Sequence, residues 1–579
     1  MKLSSLTCSV LAALAGLTLS PLAAAHGSGL SALYEQEKAR GDVYEAYFPD
    51  LDTARRAAIS FHGQLLESNY DQGHLILELD DPDQERLRAA GFTLKPAQAF
   101  LARRQAMLSL LQARAASGRP SLLGRAAGPA TEEGTESIPS FPCYETVEET
   151  FAAAEALVAA KPKLAQWIDI GNSWQKANGL GGYDLRVLKL TNSKVNTPDK
   201  PKLFINAAIH AREYATAPLV LAFATELLNG HGTDADATWI LDHHEVHLLL
   251  QTNPDGRKKA ETGLLWRKNT NTAYCGANSN DRGADLNRNF SYSWNLTGGQ
   301  GSSGNGCAET YRGPSAGSEP EVQAVQAYVR SLWADRRGAG LDDPAPADTS
   351  GIHLDIHSYS QLVLWPWGVR SAPAPNGTAL QTLGRKFAFF NNYTPMQSIG
   401  LYPTDGTSDA VSYGELGVAA YTFEIGTSFF QSCTAYTNTI KPQNLNALRY
   451  AAKVVRTPYL TPAGPDTTAV SVAPAKVSAG QAATLSASAT DLRFNNSQGT
   501  EPTQNIVAAE YYIDTPPWQA GAVARPLLAA DGAFNAKTES LTASVPTAGL
   551  SRGKHLLFVR AQDAAGNWGA FSATYLKVK

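Results

Sequence analysis

Two histidines and one glutamate occupy positions from which they could hold a metal ion. His210 and Glu213 follow the apolar run 202–208, and His357 follows a second apolar run, 352–356. Apolar runs of this length are typical of buried strands. Imidazole nitrogen and carboxylate oxygen both suit zinc, and catalytic zinc sites use three protein ligands with one open position. If the two strands are neighbours, the pattern indicates a three-ligand zinc site at the edge of a sheet.

Two further groups of polar residues compete for such a role. The segment 242–247 (Asp-His-His-Glu-Val-His) lacks the HExxH spacing that places two histidines on one helix face. We predict that it is an exposed edge at the entry to the strand 246–250. His353 and Asp355 share a strand face with His357 by period two, so one of them could contact the site.

The middle of the chain, residues 138–460, alternates helix-like and strand-like segments. Helices are predicted at residues 146–160, 320–333 and 443–455. Short apolar runs suited to a buried sheet lie at residues 185–190, 202–208, 246–250, 352–356 and 419–425. This alternation predicts a single α/β domain in which helices cover a sheet.

The beginning of the chain is typical of an exported precursor. In residues 1–25 a positive Lys2, an apolar stretch and three alanines form a signal peptide. Residues 26–112 predict a small α+β module, and residues 113–137, rich in Ala, Gly, Ser, Pro and Arg, predict an exposed linker. A module on a protease-sensitive linker suggests the propeptide of a zymogen. An accessory domain that stays attached is the alternative.

The end of the chain has a β pattern. Residues 461–468 predict a Pro/Thr-rich linker, and six β-branched or alternating runs follow in residues 469–579. Short strands at near-regular spacing predict a small Ig-like β-sandwich. It contains no cluster of catalytic residue types, so we interpret it as a binding or spacer domain.

The cysteine content indicates the compartment of the protein, and the net charge indicates which partners are excluded. Outside the signal peptide four cysteines remain, which predicts two disulfides in an exported protein. Of the three pairings, Cys275 with Cys307 is the most local and leaves Cys143 with Cys433. The 49 basic and 53 acidic residues give a net charge of −4, which argues against nucleic acid. No later apolar run reaches the roughly 18 residues of a membrane span. We therefore expect a secreted or periplasmic monomer without a transmembrane segment.

The motifs of residues 138–459 resemble, in order, those of the zinc carboxypeptidases of the pancreatic A/B type. The matching segments are 210–213 (HARE), 253–256 (NPDG), 266–268 (WRK), 283–290 (GADLNRNF), 307–314 (CAETYRGP), 318–321 (SEPE), 357–361 (HSYSQ) and 402–424. The resemblance implies a mixed central sheet flanked by helices, between an α+β prodomain and the β-sandwich. It also implies one Zn²⁺ per chain and hydrolysis of the C-terminal bond of peptides.

The resemblance assigns roles around the metal. His210, Glu213 and His357 would bind zinc, which lowers the pKa of a bound water. Asp285 would accept the other ring N–H of His210 and fix its tautomer. Glu424 would be the general base, although a structural salt bridge could also explain a carboxylate at the end of an apolar strand.

The resemblance also assigns roles toward the substrate. Arg267 would stabilise the developing oxyanion together with zinc. Arg288 and Asn287 would bind the terminal carboxylate, Tyr402 would close over the bound residue, and Arg212 would support an upstream subsite.

The same resemblance places Asp409 at the floor of the pocket that binds the substrate's side chain in this family. An aspartate there implies a preference for C-terminal Lys or Arg. Ala410 and Val411 stand where the family usually has Asp-Trp, so the loop could turn Asp409 away and Asp405 could share or take over its role. A broad pocket that admits both basic and apolar side chains is the other alternative.

Two rival functions remain at this stage. One is a related zinc amidohydrolase that acts on cell-wall peptides or acyl-amino acids. Such amidohydrolases often lack the carboxylate clamp, the pair formed here by Asn287 and Arg288. The other is a non-catalytic binding protein, which would usually lack a ligand or the base. The clamp, the ligands and the base are all present, which favours a carboxypeptidase. Its expected partners are peptide or protein C-termini and an activating protease.

Overall fold

The computed structural model describes residues 42–61, 64–116, 137–138, 140–195, 197 and 199–579. The predicted signal peptide and residues 117–136 of the predicted linker lie outside these ranges. No helix of the described part is long and apolar enough to cross a membrane.

The N-terminal module is a four-stranded antiparallel sheet with three helices. Its elements are β1 (Val43–Tyr47), α1 (Leu51–Ser60), β2 (Leu65–Asn69), β3 (His74–Glu78), α2 (Asp81–Ala89), β4 (Thr93–Pro96) and α3 (Gln98–Ala116). The strand order is β2-β3-β1-β4. Its core contains Val43, Leu75 and Leu77. Since α3 runs to Ala116, the tract predicted as a linker from residue 113 begins inside a helix.

An eight-stranded mixed sheet forms the middle of the molecule, as the resemblance implies. Its strands are β5 (Ala165–Asn172), β6 (Asp184–Leu190), β7 (Lys202–Ala207), β8 (Glu245–Leu249), β9 (Ile352–His357), β10 (Leu362–Trp365), β11 (Thr394–Gln397) and β12 (Ala419–Glu424). They lie in the order β11-β10-β12-β9-β7-β8-β6-β5. The central strands β12, β9, β7 and β8 run parallel. Nearly all their side chains are buried, as in sheets covered on both faces.

Helices flank this sheet, so the predicted α/β class is confirmed. They are α4 (Val147–Ala160), α5 (Trp174–Ala177), α6 (Thr216–Gly230), α7 (Ala235–His243), α8 (Pro254–Ala260), α9 (Pro320–Leu332), α10 (Gly377–Asn391), α11 (Ser408–Ala410), α12 (Cys433–Ala435) and α13 (Lys441–Val454). The start of α4 is fixed by a capping box, in which the side chains of Thr146 and Glu149 each accept a backbone N–H of the other.

Two further sheets form the C-terminal part. Their strands are β13 (Asp466–Ala473), β14 (Lys476–Val477), β15 (Ala483–Thr490), β16 (Ile506–Ile513), β17 (Arg525–Pro526), β18 (Leu528–Ala529), β19 (Thr538–Val545), β20 (Gly553–Asp563) and β21 (Ser572–Val578). One sheet has the order β13-β15-β19-β18 and the other β14-β21-β20-β16-β17. All six predicted runs are strands.

The predicted linker 461–468 is not a free connection. Strand β13 already begins at Asp466, which is buried and lies 3.2 Å from Lys386 Nζ on α10. The neighbouring Arg385 forms a second buried ion pair with Glu501, at 2.6 Å. The C-terminal sheets are therefore fixed directly to a helix of the central domain.

The three histidines of the segment 242–247 are buried, so the prediction of an exposed edge is wrong. His243 and His244 are 8% and 1% exposed. Trp518 of the C-terminal part packs edge-on against His243, with ring centroids 5.7 Å apart. His243 is covered by a residue 275 positions later in the chain, which no local pattern could indicate.

Both disulfides expected from the sequence are present. Cys275 is bonded to Cys307, and Cys143 to Cys433. The second bond ties the start of the central domain to the segment that follows β12.

Candidate metal and catalytic centre

The three candidate metal ligands meet at one edge of the central sheet. Strands β7 and β9 are parallel neighbours, so the segments that leave them lie side by side. His210 and Glu213 lie in the turns after β7, and His357 is the last residue of β9. One ligand atom of each lies within 4.8 Å of the other two.

Their donor atoms fit a single zinc ion. His210 Nδ1 and His357 Nδ1 face each other at 3.1 Å, and the Glu213 carboxylate lies 2.7 Å from the first and 3.3 Å from the second. Two imidazole nitrogens and one carboxylate are a donor set of catalytic zinc. Burial opposes ionisation of Glu213, but the two imidazoles together lower its pKa below the usual value. The Glu213 side chain is therefore kept ionised and can bind a metal cation.

Asp285 connects the metal ligands to Arg267. Its Oδ1 lies 3.1 Å from His210 Nε2, and its Oδ2 accepts hydrogen bonds from Nε and Nη2 of Arg267 at 3.1 and 2.9 Å. Burial opposes both charges, yet the pairing holds the pKa of Asp285 well below its usual value and raises the pKa of Arg267. Arg267 is thus a fixed cation next to the metal site.

Glu424 ends β12, where it is the register partner of His357. Its side chain is buried, and its Oε2 has no hydrogen-bond partner among the described residues. Burial raises the pKa of Glu424 to about 8. A carboxyl group with such a pKa can take up and release a proton near neutral pH.

Asn287 and Arg288 lie in one short helical turn. The buried Arg288 donates hydrogen bonds to the Tyr402 hydroxyl at 3.1 Å and to the Gly301 carbonyl oxygen at 2.8 Å. Asn287 Nδ2 lies 3.1 Å from His357 Nε2. The structure thus brings the two clamp candidates and Tyr402 together beside the metal ligands.

Arg212 has two neighbours that the sequence did not indicate. Its guanidinium lies 3.0 Å from the Glu309 carboxylate and 4.2 Å from the centre of the Phe429 ring. Both neighbours are distant in the chain, and no pattern connects them to Arg212.

The two candidate pocket carboxylates differ in their surroundings. Asp405 accepts hydrogen bonds from the backbone N–H and the hydroxyl of Thr297, at 3.0 and 2.5 Å. Asp409 is buried, and burial raises its pKa. The nearby Asp355 carboxylate raises this pKa further. Among the described residues no Lys or Arg forms an ion pair with Asp409.

The sequence does not decide whether His353 or Asp355 contacts the metal site, and the structure shows that Asp355 does. Asp355 Oδ2 lies 2.9 Å from His357 Nε2. His353 contacts Asn206 and Ser412 instead, each at 2.6 Å. The period-two strand pattern was the available signal, but it could not tell which side chain reaches the ligand.

The N-terminal module lies against this centre. The Ser68 backbone N–H on β2 donates to the Thr427 carbonyl oxygen at 3.1 Å, and Tyr359 and Phe429 belong to the module's apolar cluster. A cavity of about 470 Å³ is lined by residues of both parts, among them Ser60, Gln64, Arg267, Glu309 and Tyr402.

Known proteins share this sequence and fold. A family model described as zinc carboxypeptidase matches residues 151–447. Carboxypeptidase A1 of Rattus norvegicus is 32% identical over 250 residues, which are 42% of this chain and 52% of that protein. A zinc carboxypeptidase of Saccharothrix mutabilis subsp. capreolus is 30% identical over 305 residues, 50% and 64% of the two chains. This chain therefore spans less than two thirds of these relatives. The fold is similar to thrombin activatable fibrinolysis inhibitor, with a TM-score of 0.51, 21% identity, and coverage of 72% of this chain and 98% of that chain.

Proposed function

The chain belongs to the zinc carboxypeptidase family, whose model spans more than half of it, and we propose on this basis that it is a zinc-dependent exopeptidase that removes C-terminal residues from peptides. One observation carries the proposal: His210, Glu213 and His357 converge with the buried Glu424 at their side. Hydrolysis of a peptide bond needs an activated water and a base next to it, and this centre offers a place for both.

The side chains around the metal site have complementary tasks. Zinc, when bound, supplies a Lewis acid and lowers the pKa of its water toward about 7. Glu424 takes a proton from the attacking water and returns it to the leaving amine, and its buried Oε2 has no hydrogen-bond partner among the described residues that would compete for this role. Arg267, held in place by Asp285, donates to the substrate's carbonyl oxygen as negative charge develops there.

The carboxylate clamp makes the enzyme an exopeptidase. Arg288 and Asn287 bind a free terminal carboxylate, and Tyr402 closes over the bound residue. An internal peptide segment offers no charge to the buried Arg288, so only chain ends bind well. Arg212 contacts the substrate upstream of the cleaved bond.

The side-chain pocket selects C-terminal Lys or Arg through Asp409. A buried carboxylate without a Lys or Arg partner is well suited to the ammonium or guanidinium of a substrate. Asp405 is the competing candidate, because Thr297 engages only its Oδ2 and its buried Oδ1 has no hydrogen-bond partner among the described residues.

The parts outside the central domain, residues 138–460, regulate and accompany the enzyme. Residues 1–25 direct export to the periplasm or the medium, which agrees with the two disulfides. Residues 26–112 are a propeptide, since the N-terminal module lies against the active centre, and residues 113–137 are cut by an activating protease. Residues 469–579 form an Ig-like sandwich with a binding or spacer role, and the enzyme is a monomer.

Zinc analysis and a peptide panel test the proposed activity together. The purified protein should contain one zinc per chain and release free C-terminal amino acids, but it should not act on the same peptides with an amidated C-terminus. Lack of both zinc and product would favour a non-catalytic binding protein. Hydrolysis of acyl-amino acids or cell-wall peptides, without action on ordinary peptides, would favour a related amidohydrolase.

A further inference from the structure

Asp355 lies behind the metal ligand His357 and is completely buried. Its Oδ2 is 2.9 Å from His357 Nε2, the ring nitrogen opposite the one that faces the other ligands. A histidine that binds a metal through Nδ1 keeps its ring proton on Nε2 and needs an acceptor for it. Asp355 is in the position to be that acceptor.

The other polar neighbour of this nitrogen cannot take the proton. Asn287 Nδ2 lies 3.1 Å from His357 Nε2, but an amide NH₂ group donates and does not accept. The orientation of this amide is fixed, because its Oδ1 accepts the backbone N–H of Ser408. Asn287 could donate only to a proton-free Nε2, but a metal on Nδ1 leaves the ring proton on Nε2, and of the two neighbours only the Asp355 carboxylate can accept it.

Asp355 is itself held from two sides. Its Oδ1 accepts a hydrogen bond from Asn206 Nδ2 on β7 at 2.6 Å, and its Oδ2 also accepts one from the Ser408 hydroxyl. A buried carboxylate is costly unless donors satisfy it, and here each oxygen has one. These contacts leave the carboxylate little freedom to turn away from His357.

The same arrangement occurs at the other histidine ligand. His210 Nε2 faces Asp285 Oδ1 at 3.1 Å. Each histidine of the candidate metal site thus has its own buried carboxylate. Asp285, next to the clamp residues, serves His210, and Asp355, two positions earlier on β9, serves His357.

We propose that Asp355 is a positioning residue that fixes the tautomer and the orientation of His357 and thereby strengthens zinc binding. This inference rests on the proposed zinc site and adds a residue to it. Ser408 donates to Asp355 through its hydroxyl and to Asn287 through its backbone. The carboxylate therefore also connects the metal ligand with the clamp for the substrate's terminal carboxylate.

Zinc affinity of the full chain tests this role without reference to turnover. Competition with a chelator should give a dissociation constant about 10- to 100-fold higher for Asp355→Asn than for wild type. Asp255→Asn is the matched control: Asp255 is 1% exposed and accepts two hydrogen bonds, from Ser173 and Gln175, but none from a metal ligand. Its zinc affinity should equal that of wild type.

The outcomes separate the inference from the proposed function. Equal zinc affinity in all three proteins would overturn the role of Asp355 but leave the zinc enzyme intact. A wild type that binds no zinc would contradict the proposed function itself.

A second measurement needs no variant, in case Asp355→Asn does not fold. In the zinc-loaded wild type, NMR of ¹⁵N-labelled histidine should show that both zinc-bound histidines are protonated on Nε2, with slow exchange against water. A His357 ring without a proton on Nε2 would overturn the inference.

Discussion

Glu424 and His357 are register partners at the ends of two parallel strands, β12 and β9. Backbone hydrogen bonds of the sheet, not contacts between the side chains, place the candidate base beside a metal ligand. The side chain of Glu424 can therefore be changed while the frame of the site is kept.

Replacement of the base should separate chemistry from metal binding. Glu424→Gln should retain one zinc per chain and lose nearly all turnover, because an amide cannot take the proton. Metal analysis and kcat on a peptide substrate measure the two effects. Glu415→Gln, at a partly exposed ion pair with Arg330, is the control. Retention of more than about a tenth of the wild-type kcat would show that Glu424 is not the base.

Removal of the metal should abolish activity reversibly. Dialysis against a chelator should yield an inactive protein, and added zinc should restore its kcat, because the activated water depends on the ion. His357→Ala should not be rescued, since it retains two of the three ligands, whereas the more exposed His231→Ala should behave like wild type. Full activity of the metal-free protein would contradict the mechanism.

Selectivity should depend on Asp409. On matched peptides that end in Arg, Lys, Phe or Leu, Asp409→Ala should lower the Arg-to-Phe ratio of kcat/KM by about tenfold or more, because a charge-assisted hydrogen bond contributes about 1.5–3 kcal/mol. Asp405→Ala tests the competing carboxylate in the same way. An unchanged ratio for Asp409→Ala, with a lowered ratio for Asp405→Ala, would exchange their roles.

Activation should require a cut after the helix α3. We place the cut in the region from Arg103 to Arg125; since the backbone is helical up to Ala116 and proteases cut helices poorly, we expect it after residue 116. Limited trypsin treatment should raise activity, and Arg125→Gln should slow this rise while the activity before cleavage stays the same. Cleavage that leaves activity unchanged would identify the N-terminal module as an accessory domain.

Acid should weaken the contact between the central domain and the C-terminal sheets. Burial lowers the pKa of His243 to about 4, and it also lowers the pKa of His244, with Arg456 close to both. Between about pH 6.5 and 4 the unfolded chain therefore binds a proton at His243 that the folded chain does not. Stability is complete above this window and falls as pH decreases through it, by up to about 3 kcal/mol for His243.

Denaturant unfolding at several pH values checks this expectation. His243→Gln should have a flatter pH dependence of the free energy of unfolding than wild type, because its side chain does not titrate. His74→Gln, on β3 of the N-terminal module, is the control. Identical pH dependence of wild type and His243→Gln would contradict the prediction.

The parts of the structure that the sequence predicted are those with a local signature. The apolar runs 202–208 and 352–356 are central strands, and their ends carry the three candidate ligands. Helix α6 was missed because ten of its fifteen residues are buried, so its sequence has no polar face to show a helical period.

Contacts between distant segments had no signature in the sequence. The Asp355–His357 pair could be suspected because both residues lie on one strand face, but its partner Ser408 comes from another segment. The pairing of Arg212 with Glu309 and the burial of His243 depend on how remote segments pack, which one sequence does not reveal.

The shared core between the central domain and the C-terminal sheets has a practical consequence for trimming the chain. Tyr512, Phe558 and Phe571 belong to the same buried apolar cluster as the central helices. A protein shortened at residue 465 would expose the surface that these rings cover and would remove Glu501, the carboxylate partner of Arg385. The smallest soluble form of this protein should therefore include the C-terminal sheets, and deletion of residues 466–579 should cause aggregation.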